Sequence, residues 1–314
     1  MKFKKPKFWD FKKPNFISYL LLPFTLFFEI NNFLLKFKSK KKINKLKTIC
    51  VGNIYVGGTG KTPTTIKLYE ILKRLNLKVF SAKKFYPNHV DEKIILEKKT
   101  NLIFAENRKK IIEKALKENC NCLIFDDGLQ EKKIDYDLQF VCFDTSSWIG
   151  NGLLIPAGPL RERLNSLKKY DGIFLKNESS NFDKIFKIIK KYNSDIQIYE
   201  TYYDPINILN FDLTKNYLIF SGIGNPYSFK KILLDNNFNI IDEINFPDHY
   251  EYKKIDINMI KNKAKKINAK IITTEKDYVK ISKFDREEID FLEISLKIKN
   301  ENQLIDFLKL KIYE

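Results

Sequence analysis

One stretch, residues 49–65, constrains the fold of this chain more than any other, and it reads ICVGNIYVGGTGKTPTT. An apolar run that predicts a buried strand is followed by a glycine-rich turn, a Lys-Thr pair and a helical pattern from Pro63 to about Leu75. Glycines let such a turn gather backbone N–H groups, and the helix N-terminus adds partial positive charge. This order predicts a phosphate-binding P-loop, although Tyr55 stands where the strict pattern has glycine.

The P-loop motif assigns ATP and Mg²⁺ to the chain as cofactors. The Lys61 ammonium is expected to reach the β- and γ-phosphates, and the Thr62 hydroxyl is expected to bind the metal. The predicted nucleotide-binding residues of the loop are Gly57, Gly58, Thr59, Gly60, Lys61 and Thr62. The alternative is a glycine-rich turn that binds nothing, which the Lys-Thr pair disfavours.

A second motif, CNCLIFDDGLQ, places two acidic residues directly after an apolar strand. Carboxylates at the end of a strand beside a P-loop hold Mg²⁺ directly or through water. Asp126 and Asp127 are therefore predicted metal ligands. A solvated strand end is the alternative for an acidic pair of this kind.

Strand and helix patterns alternate from residue 48 to about 180 and predict an α/β fold with a doubly wound, mostly parallel sheet. Ligands gather at the carboxyl ends of the strands in such folds. The expected domains are an N-terminal segment (1–47), a P-loop core (48–205) and a smaller C-terminal α/β lobe (206–314). Residues 83–93 read as irregular, with a helix from Ile94, and the strand that begins at Lys270 is expected to extend through Asp277.

The charge of the chain is concentrated in its N-terminal segment. Of a net charge of +18 over 314 residues, the first 47 residues carry 13 lysines against two acidic residues. Between these lysines, residues 14–28 are uncharged and mostly apolar, too short a run for the roughly 20 residues of a membrane span. An interfacial helix or hairpin on anionic lipids is the favoured interpretation, with a core helix and a tilted span as alternatives.

Two loops add candidate site residues. The loop at residues 150–163, GNGLLIPAGPLRER, carries Arg161, suited to phosphate contact, and Glu162, a possible further Mg²⁺ ligand. A surface loop with solvated charges is at least as good an interpretation of this composition. His249 follows Asp248 in a proline-bearing loop after a strand, although a lone histidine is more often structural or solvated.

Together these motifs resemble those of the tetraacyldisaccharide 4′-kinase family, the lipid A kinases. The matching stretches, in the family's order, are VGNIYVGGTGKTP, VDE, DDGLQ, GNGLLIPAGPLRE, GIGNP, FPDHYEY and TTEKDYVK. The resemblance implies ATP- and Mg²⁺-dependent transfer of the γ-phosphate to the 4′-hydroxyl of an acylated glucosamine disaccharide 1-phosphate. It also implies a peripheral protein on the cytoplasmic face of the bacterial inner membrane.

The resemblance further implies roles for individual residues. Asp91 resembles the family's catalytic base, His249 the histidine that pairs with it, and Lys61 the catalytic P-loop lysine. Arg161 resembles an ATP-binding arginine, and Glu162 its acidic neighbour in the same loop. The chain departs from the family where SAKKFY replaces a usual Ser-Arg-Gly-Tyr after the second strand, and in the residues that flank Asp91.

Two other classes share part of this pattern. A membrane-associated switch ATPase has the P-loop, the acidic strand end and membrane contact, but does not need the 150–163 or FPDHYEY loops. A nucleic-acid-binding ATPase would place its basic residues on the core, whereas most of the excess charge here lies in the first 47 residues. Nucleic acid is therefore not an expected partner.

Overall fold

The computed structural model describes residues 5–34, 41–85, 90–131, 133–178 and 180–313. In these ranges the helices are α1 (Phe16–Leu34), α2 (Lys61–Arg74), α3 (Val90–Lys99), α4 (Arg108–Lys117), α5 (Phe182–Tyr192), α6 (Pro226–Asp235), α7 (Lys254–Lys266), α8 (Glu275–Tyr278) and α9 (Glu301–Tyr313). The strands are β1 (Lys41–Lys42), β2 (Lys47–Gly52), β3 (Val79–Lys84), β4 (Leu102–Ala105), β5 (Cys122–Asp126), β6 (Ile134–Asp135), β7 (Leu138–Asp144), β8 (Gly172–Lys176), β9 (Gln197–Pro205), β10 (Asn216–Ser221), β11 (Asn239–Asn245), β12 (Lys270–Thr274), β13 (Ile289–Leu292) and β14 (Ile294–Ile298).

The chain divides into two compact units, each built from separate pieces of sequence. The first unit comprises Met1–Lys84, Thr100–Tyr202 and Ile298–Glu314. The second comprises Phe85–Lys99 and Tyr203–Lys297. This division differs from the three continuous domains expected from the sequence, because α3 belongs with the second unit and α9 with the first.

The large sheet has the strand order β14-β9-β8-β7-β2-β5-β3-β4. The pairs from β9 to β4 are all parallel, and Val51 of β2 lies opposite Asp126 of β5. The carboxyl ends of β2, β5 and β3 therefore meet at one edge of the sheet, where ligands bind in folds of this kind.

Apolar residues cover this sheet on both faces and form its core. Helix α2 buries Leu68, Ile71 and Leu72, which its 3.6-residue period places on one side. Helix α9 buries Leu304 and Leu308 in the same cluster. Each fully buried Leu or Ile contributes about 1.5–3 kcal/mol, so α9 is an integral part of this core. All four cysteines are free and buried.

The second unit has its own parallel sheet, with the strand order β11-β10-β12-β13. Helix α7 packs on it through Ile257, Ile260 and Ala264. The segments that follow β10, β11 and β12 leave the sheet at its carboxyl edge. They carry the motifs GIGNP, FPDHYEY and the acidic end of TTEKD, so this edge gathers three of the predicted motifs.

The described part of the N-terminal segment contains one long helix, α1. Along α1, apolar side chains such as Phe16, Leu20, Phe24 and Phe27 are 81%, 63%, 55% and 72% exposed. No helix in the described ranges combines the length and apolarity needed to cross a bilayer. The helix therefore presents an apolar surface that the first unit leaves uncovered.

The predicted α/β class is confirmed, with a mostly parallel sheet behind the P-loop and a smaller α/β unit. Two predicted boundaries were wrong. Helix α3 begins at Val90 rather than at Ile94, so Asp91 lies in its first turn, where the helix dipole favours acidic residues. Strand β12 ends at Thr274, whose side chain accepts a hydrogen bond from the Asp277 backbone and caps the short helix α8.

Candidate active site

The glycine-rich turn of the first unit has the backbone conformation that its sequence requires. Gly60 precedes α2 with φ 83°, and Gly57 has φ 151°. Both values lie where residues with a Cβ are rare, so glycine is needed at these two positions. The backbone amide of Thr64 donates to the Gly60 carbonyl, which starts α2 directly after the turn. Loop and helix N-terminus are thus arranged as an anion-binding site.

Asn53 holds the turn from inside. Its side-chain amide donates to the Gly57 carbonyl at 3.2 Å and to the Thr59 hydroxyl at 3.0 Å. Gln130, from the DDGLQ motif, donates to the Asn53 carbonyl at 2.9 Å. These bonds hold residues 57–60 of the P-loop, among them the predicted phosphate contacts Gly58 and Thr59, and join the P-loop to the DDGLQ motif.

Asp126, at the end of β5, is the centre of a buried polar cluster. Its carboxylate accepts hydrogen bonds from the hydroxyls of Thr62 at 3.1 Å and Thr65 at 3.3 Å. Lys83, at the end of β3, donates to the same carboxylate at 2.6 Å and is 3% exposed. The lysine was not among the predicted site residues, and its charge balances that of Asp126 in the interior of the first unit.

The donor set around Asp126 fits Mg²⁺. The Thr62 hydroxyl and the Asp126 carboxylate are hard oxygen ligands within hydrogen-bond distance of one another. Among the described residues, no group of three or more His, Cys, Asp or Glu side chains could hold a metal by itself. Mg²⁺ is typically held by one or two carboxylates together with phosphates and water, so this set suits a metal that arrives with a nucleotide.

We expect Lys83→Met to destabilise the protein by about 3–5 kcal/mol, because it leaves the buried Asp126 carboxylate without its counter-ion. Urea unfolding followed by circular dichroism measures the change. The matched control is Lys78→Met, an exposed lysine just before the same strand. Equal unfolding midpoints for the two variants would show that the buried pair contributes nothing to stability.

Asp127 brings two cations of the first unit together beside the turn. It has φ 61°, an uncommon value for a residue other than glycine. Its carboxylate lies 3.9 Å from the Lys61 ammonium and 3.8 Å from the Arg161 guanidinium. Arg161 also donates to the Gln130 side chain at 2.9 Å. The structure therefore places the predicted phosphate-binding cations Lys61 and Arg161 around one carboxylate.

Glu162 lies in a different set of contacts from the other predicted metal ligands. Its carboxylate accepts a hydrogen bond from the Tyr170 hydroxyl at 3.1 Å and pairs with Lys169. These contacts hold the 150–163 loop to the segment that follows it. The role of Glu162 as a metal ligand stays a prediction.

The N-terminal residues contact the same region of the first unit. Trp9 is 2% exposed and donates from its indole to the Pro156 carbonyl at 3.0 Å. Asp10 accepts a hydrogen bond of 2.8 Å from Tyr55, whose ring packs against the backbone of Gly57. Tyr55, which replaces the first glycine of the strict P-loop pattern, thus links the N-terminal segment to the phosphate-binding turn.

The second unit contains the predicted base and its histidine in direct contact. Asp91 is 2% exposed, and the Nδ1 atom of His249 lies 3.1 Å and 3.3 Å from its two carboxylate oxygens. His249 has φ 57°, a strained backbone of the kind that clusters at functional sites. Its amide donates to the Gly222 carbonyl at 3.2 Å, so the GIGNP turn holds the histidine loop in place.

The charges around Asp91 keep it ionised. Burial acts to raise the pKa of its carboxyl, but the hydrogen bond with His249 and the charge of Lys276 outweigh burial and hold that pKa below its usual range. Asp91 is therefore an anion throughout the neutral pH range. An ionised carboxylate with a neighbouring imidazole is suited to accept a proton.

Helix α8 supplies a lysine to this cluster. The Lys276 ammonium lies 3.1 Å from Asp248, 3.4 Å from the Nε2 atom of His249 and 3.7 Å from Asp91. Burial acts to lower its pKa, but the surrounding carboxylates, Asp248 first, raise that pKa above its usual range. Glu275 of α8 pairs with Lys99 of α3 at 2.7 Å, which ties the two helices together.

Sequence reasoning found most of these residues and missed two lysines. Lys83 and Lys276 are the charged partners of Asp126 and of the Asp91–His249 pair. In a chain with 57 Lys and Arg residues, a single lysine carries little signal. Lys83 could have been found as a charge at the end of an otherwise buried strand. His89, the second histidine, lies outside the described residues.

Known proteins of one family are similar to this chain over nearly its whole length. The family model described as tetraacyldisaccharide-1-P 4′-kinase matches residues 17–313. A tetraacyldisaccharide 4′-kinase of Pelagibacter ubique is 48% identical over 312 residues, covering 98% of each chain. One of Rickettsia canadensis is 37% identical over 328 residues, again covering 98% of each.

A solved structure supports the fold. LpxK of Aquifex aeolicus, crystallised in complex with ATP, superposes with a TM-score of 0.70 and 22% identity, covering 95% of this chain and 100% of that one. The family model and the two relatives extend across both units, so they confirm the resemblance that the motifs indicated. The chain belongs to the tetraacyldisaccharide-1-P 4′-kinase family.

Proposed function

We propose that Asp91 is the general base with which this chain phosphorylates the 4′-hydroxyl of an acylated glucosamine disaccharide 1-phosphate. As a member of its family the chain is an ATP-dependent kinase of lipid A synthesis. The observation that carries the assignment of Asp91 is its contact with His249, because an ionised, almost fully buried carboxylate is held there by a strained loop. Residues with a strained backbone conformation cluster at active sites and ligand-binding segments.

In the first unit, the proposed task is to bind and orient the triphosphate. Backbone amides of residues 57–60 and the α2 N-terminus face the phosphates, and Lys61 and Arg161 neutralise their charge. Thr62, Asp126 and Asp127 are the proposed Mg²⁺ ligands, and Mg²⁺ held by them would further neutralise the negative charge of the triphosphate. Phosphoryl transfer needs positioning and electrostatic stabilisation more than covalent help from the protein.

In the second unit, the proposed task is to move one proton. The acceptor O–H bond breaks and its proton passes to Asp91, while the acceptor oxygen bonds to the γ-phosphorus. The bond from that phosphorus to the bridging oxygen breaks, and ADP leaves with that oxygen. The Nδ1 atom of His249 contacts Asp91 at 3.1 Å, and this contact orients the carboxylate for the transfer.

One assay tests the function as a whole. ATP consumption is measured with the acylated disaccharide 1-phosphate, with lipid vesicles alone and with DNA or RNA. We expect stoichiometric ADP formation and a 4′-phosphorylated product only with the disaccharide. ATP turnover with vesicles alone would favour the membrane-associated switch ATPase. ATP turnover that depends on DNA or RNA would favour the nucleic-acid-binding ATPase.

We also propose that α1 docks on the cytoplasmic surface of the bacterial inner membrane, where the acylated substrate lies. Its exposed Leu20, Phe24 and Phe27 suit the acyl boundary, and the lysines that flank it suit anionic headgroups. An interfacial helix brings the enzyme to the headgroup level of its substrate without crossing the bilayer.

Replacing Leu20, Phe24 and Phe27 together with Ser should weaken binding to anionic vesicles at least tenfold, because each buried Leu or Phe contributes about 1.5–3 kcal/mol. Vesicle sedimentation measures the binding. The three substitutions leave Trp9 and its hydrogen bond to Pro156 in place. The matched control replaces three exposed apolar residues of the second unit, Leu209, Ile255 and Phe284, with Ser. Equal sedimentation of both triple variants would contradict docking through α1.

A further inference from the structure

Lys276 occupies a position in the second unit that no step of the mechanism above uses. It lies on α8, two residues after the capping residue Thr274, with about one-fifth of its side chain exposed. Its ammonium is 3.4 Å from the Nε2 atom of His249 and 3.7 Å from the Asp91 carboxylate, which contacts the Nδ1 atom of the same ring. Each ring nitrogen therefore contacts a charged group, a carboxylate at Nδ1 and an ammonium at Nε2.

The hydrogen-bonding chemistry of these three groups allows one arrangement. An ionised carboxylate only accepts hydrogen bonds, and an ammonium only donates them. A neutral imidazole has one N–H and one acceptor nitrogen. Its proton must then be on Nδ1, facing Asp91, while Nε2 accepts from Lys276. We propose that Lys276 is a positioning residue that holds His249 as the neutral Nδ1–H tautomer and thereby keeps Asp91 the proton acceptor.

The surrounding charges hold Lys276 in this place. Asp248 of the histidine loop lies 3.1 Å from its ammonium, and Asp91 of α3 lies 3.7 Å away. Glu92, beside Asp91, is 3.9 Å from His249 Nε2 and adds negative charge on the same side. The lysine is thus held beside the imidazole by Asp248, a carboxylate that has no part in the proposed reaction.

The consequence concerns the path of the proton. With Nε2 accepting from Lys276, the single ring proton is on Nδ1, where it orients the Asp91 carboxylate that takes the proton of the acceptor hydroxyl. Without Lys276, the ring is free to carry its proton on Nε2, and Nδ1 would then present a lone pair to the carboxylate. Such a ring cannot orient Asp91.

The test reads the tautomer directly. Long-range ¹H–¹⁵N spectra of the ¹⁵N-labelled full chain at pH 8 distinguish the two neutral forms of a histidine ring. The chain has two histidines, and spectra of His89→Gln assign the signals of His249. We expect the Nδ1–H pattern in the unmodified chain and a large Nε2–H population in Lys276→Met. The matched control is Lys283→Met, an exposed lysine of the same unit.

Kinetics provide a second reading. Lys276→Met should lower kcat about tenfold with KM for the disaccharide changed less than twofold, because the base is misoriented after substrate is bound. Lys276→Arg should restore most of the rate and the Nδ1–H pattern, since a guanidinium also only donates. Thermal melting of each variant identifies a loss of folding, and in that event the Arg variant carries the test.

Two results would overturn the inference. One is an unchanged Nδ1–H pattern in folded Lys276→Met, and the other is a rise in KM alone, which would make Lys276 a substrate-binding residue. The inference rests on the proposed roles of Asp91 and His249, and the experiment separates the two failures. Full activity of Asp91→Asn would refute the base itself, whereas an inactive Asp91→Asn with an unchanged tautomer in Lys276→Met would refute only the role of the lysine.

Discussion

Asp91→Asn is expected to lower kcat by about 10²–10⁴-fold, the range that a positioned general base contributes, while the dissociation constant for ATP changes less than twofold. The amide has nearly the shape of the carboxylate but cannot take the proton of the acceptor hydroxyl. It also meets the His249 ring without a negative charge. Steady-state kinetics with the acylated disaccharide give kcat, and titration with a fluorescent ATP analogue gives the affinity.

The control for this variant is Glu97→Gln on the same helix. Glu97 pairs with Lys93, one turn away on the same helix, and about half of its side chain is exposed. Removing its charge should leave kcat within twofold, because surface pairs of this kind contribute little. Comparable rates for Asp91→Asn and Glu97→Gln would exclude Asp91 as the base and leave the chemistry to another group.

Lys61→Met is the second change with a large expected effect. It should lower kcat/KM by about 10³-fold, because a cation aimed at the transferring phosphoryl group stabilises the charge that develops there. ATP binding should weaken as well, which separates this variant from Asp91→Asn. The Lys61 side chain is largely buried beside Asp127, so a methionine at this position fills nearly the same space without the positive charge.

Lys73→Met is the matched control on the last turn of α2, where the side chain is exposed. It removes the same charge from the same helix at a distance from the turn, and its kinetics should match those of the unmodified chain. If Lys61→Met and Lys73→Met lost equal activity, the effect would come from the overall charge of the helix rather than from contact with phosphate.

The parts of the site that depend on local backbone were predictable from the sequence. A few neighbouring residues specify each of these features. Examples are Gly60, with φ 83° directly before a helix, and Asp126, at the end of a buried strand. The alternation of strands and helices likewise predicted the parallel sheet that brings β2 and β5 side by side. For these features the local signal and the final structure depend on the same interactions.

The parts that depend on contacts remote in sequence were not predictable. Helix α3 begins four residues before the apolar periodicity does, and its first turn carries the acids that contact His249, more than 150 positions away. The stretch TTEKD extends an apolar run and so predicts a strand at Lys276, whereas the Thr274 cap starts a helix there. Nothing within either segment indicates its partner.

The distribution of the two units along the chain bears on how such a protein can be divided or assembled. The polypeptide passes between the units four times, once on each side of α3, once within β9 and once within β14. A gene cut near codon 205 would leave the first product without α9, whose Leu304 and Leu308 fill its interior, and would leave the second without Asp91. End-to-end fusion of two ready-made genes would give one passage between the units, and a single insertion of one module into another would give two, so neither event alone accounts for such threading.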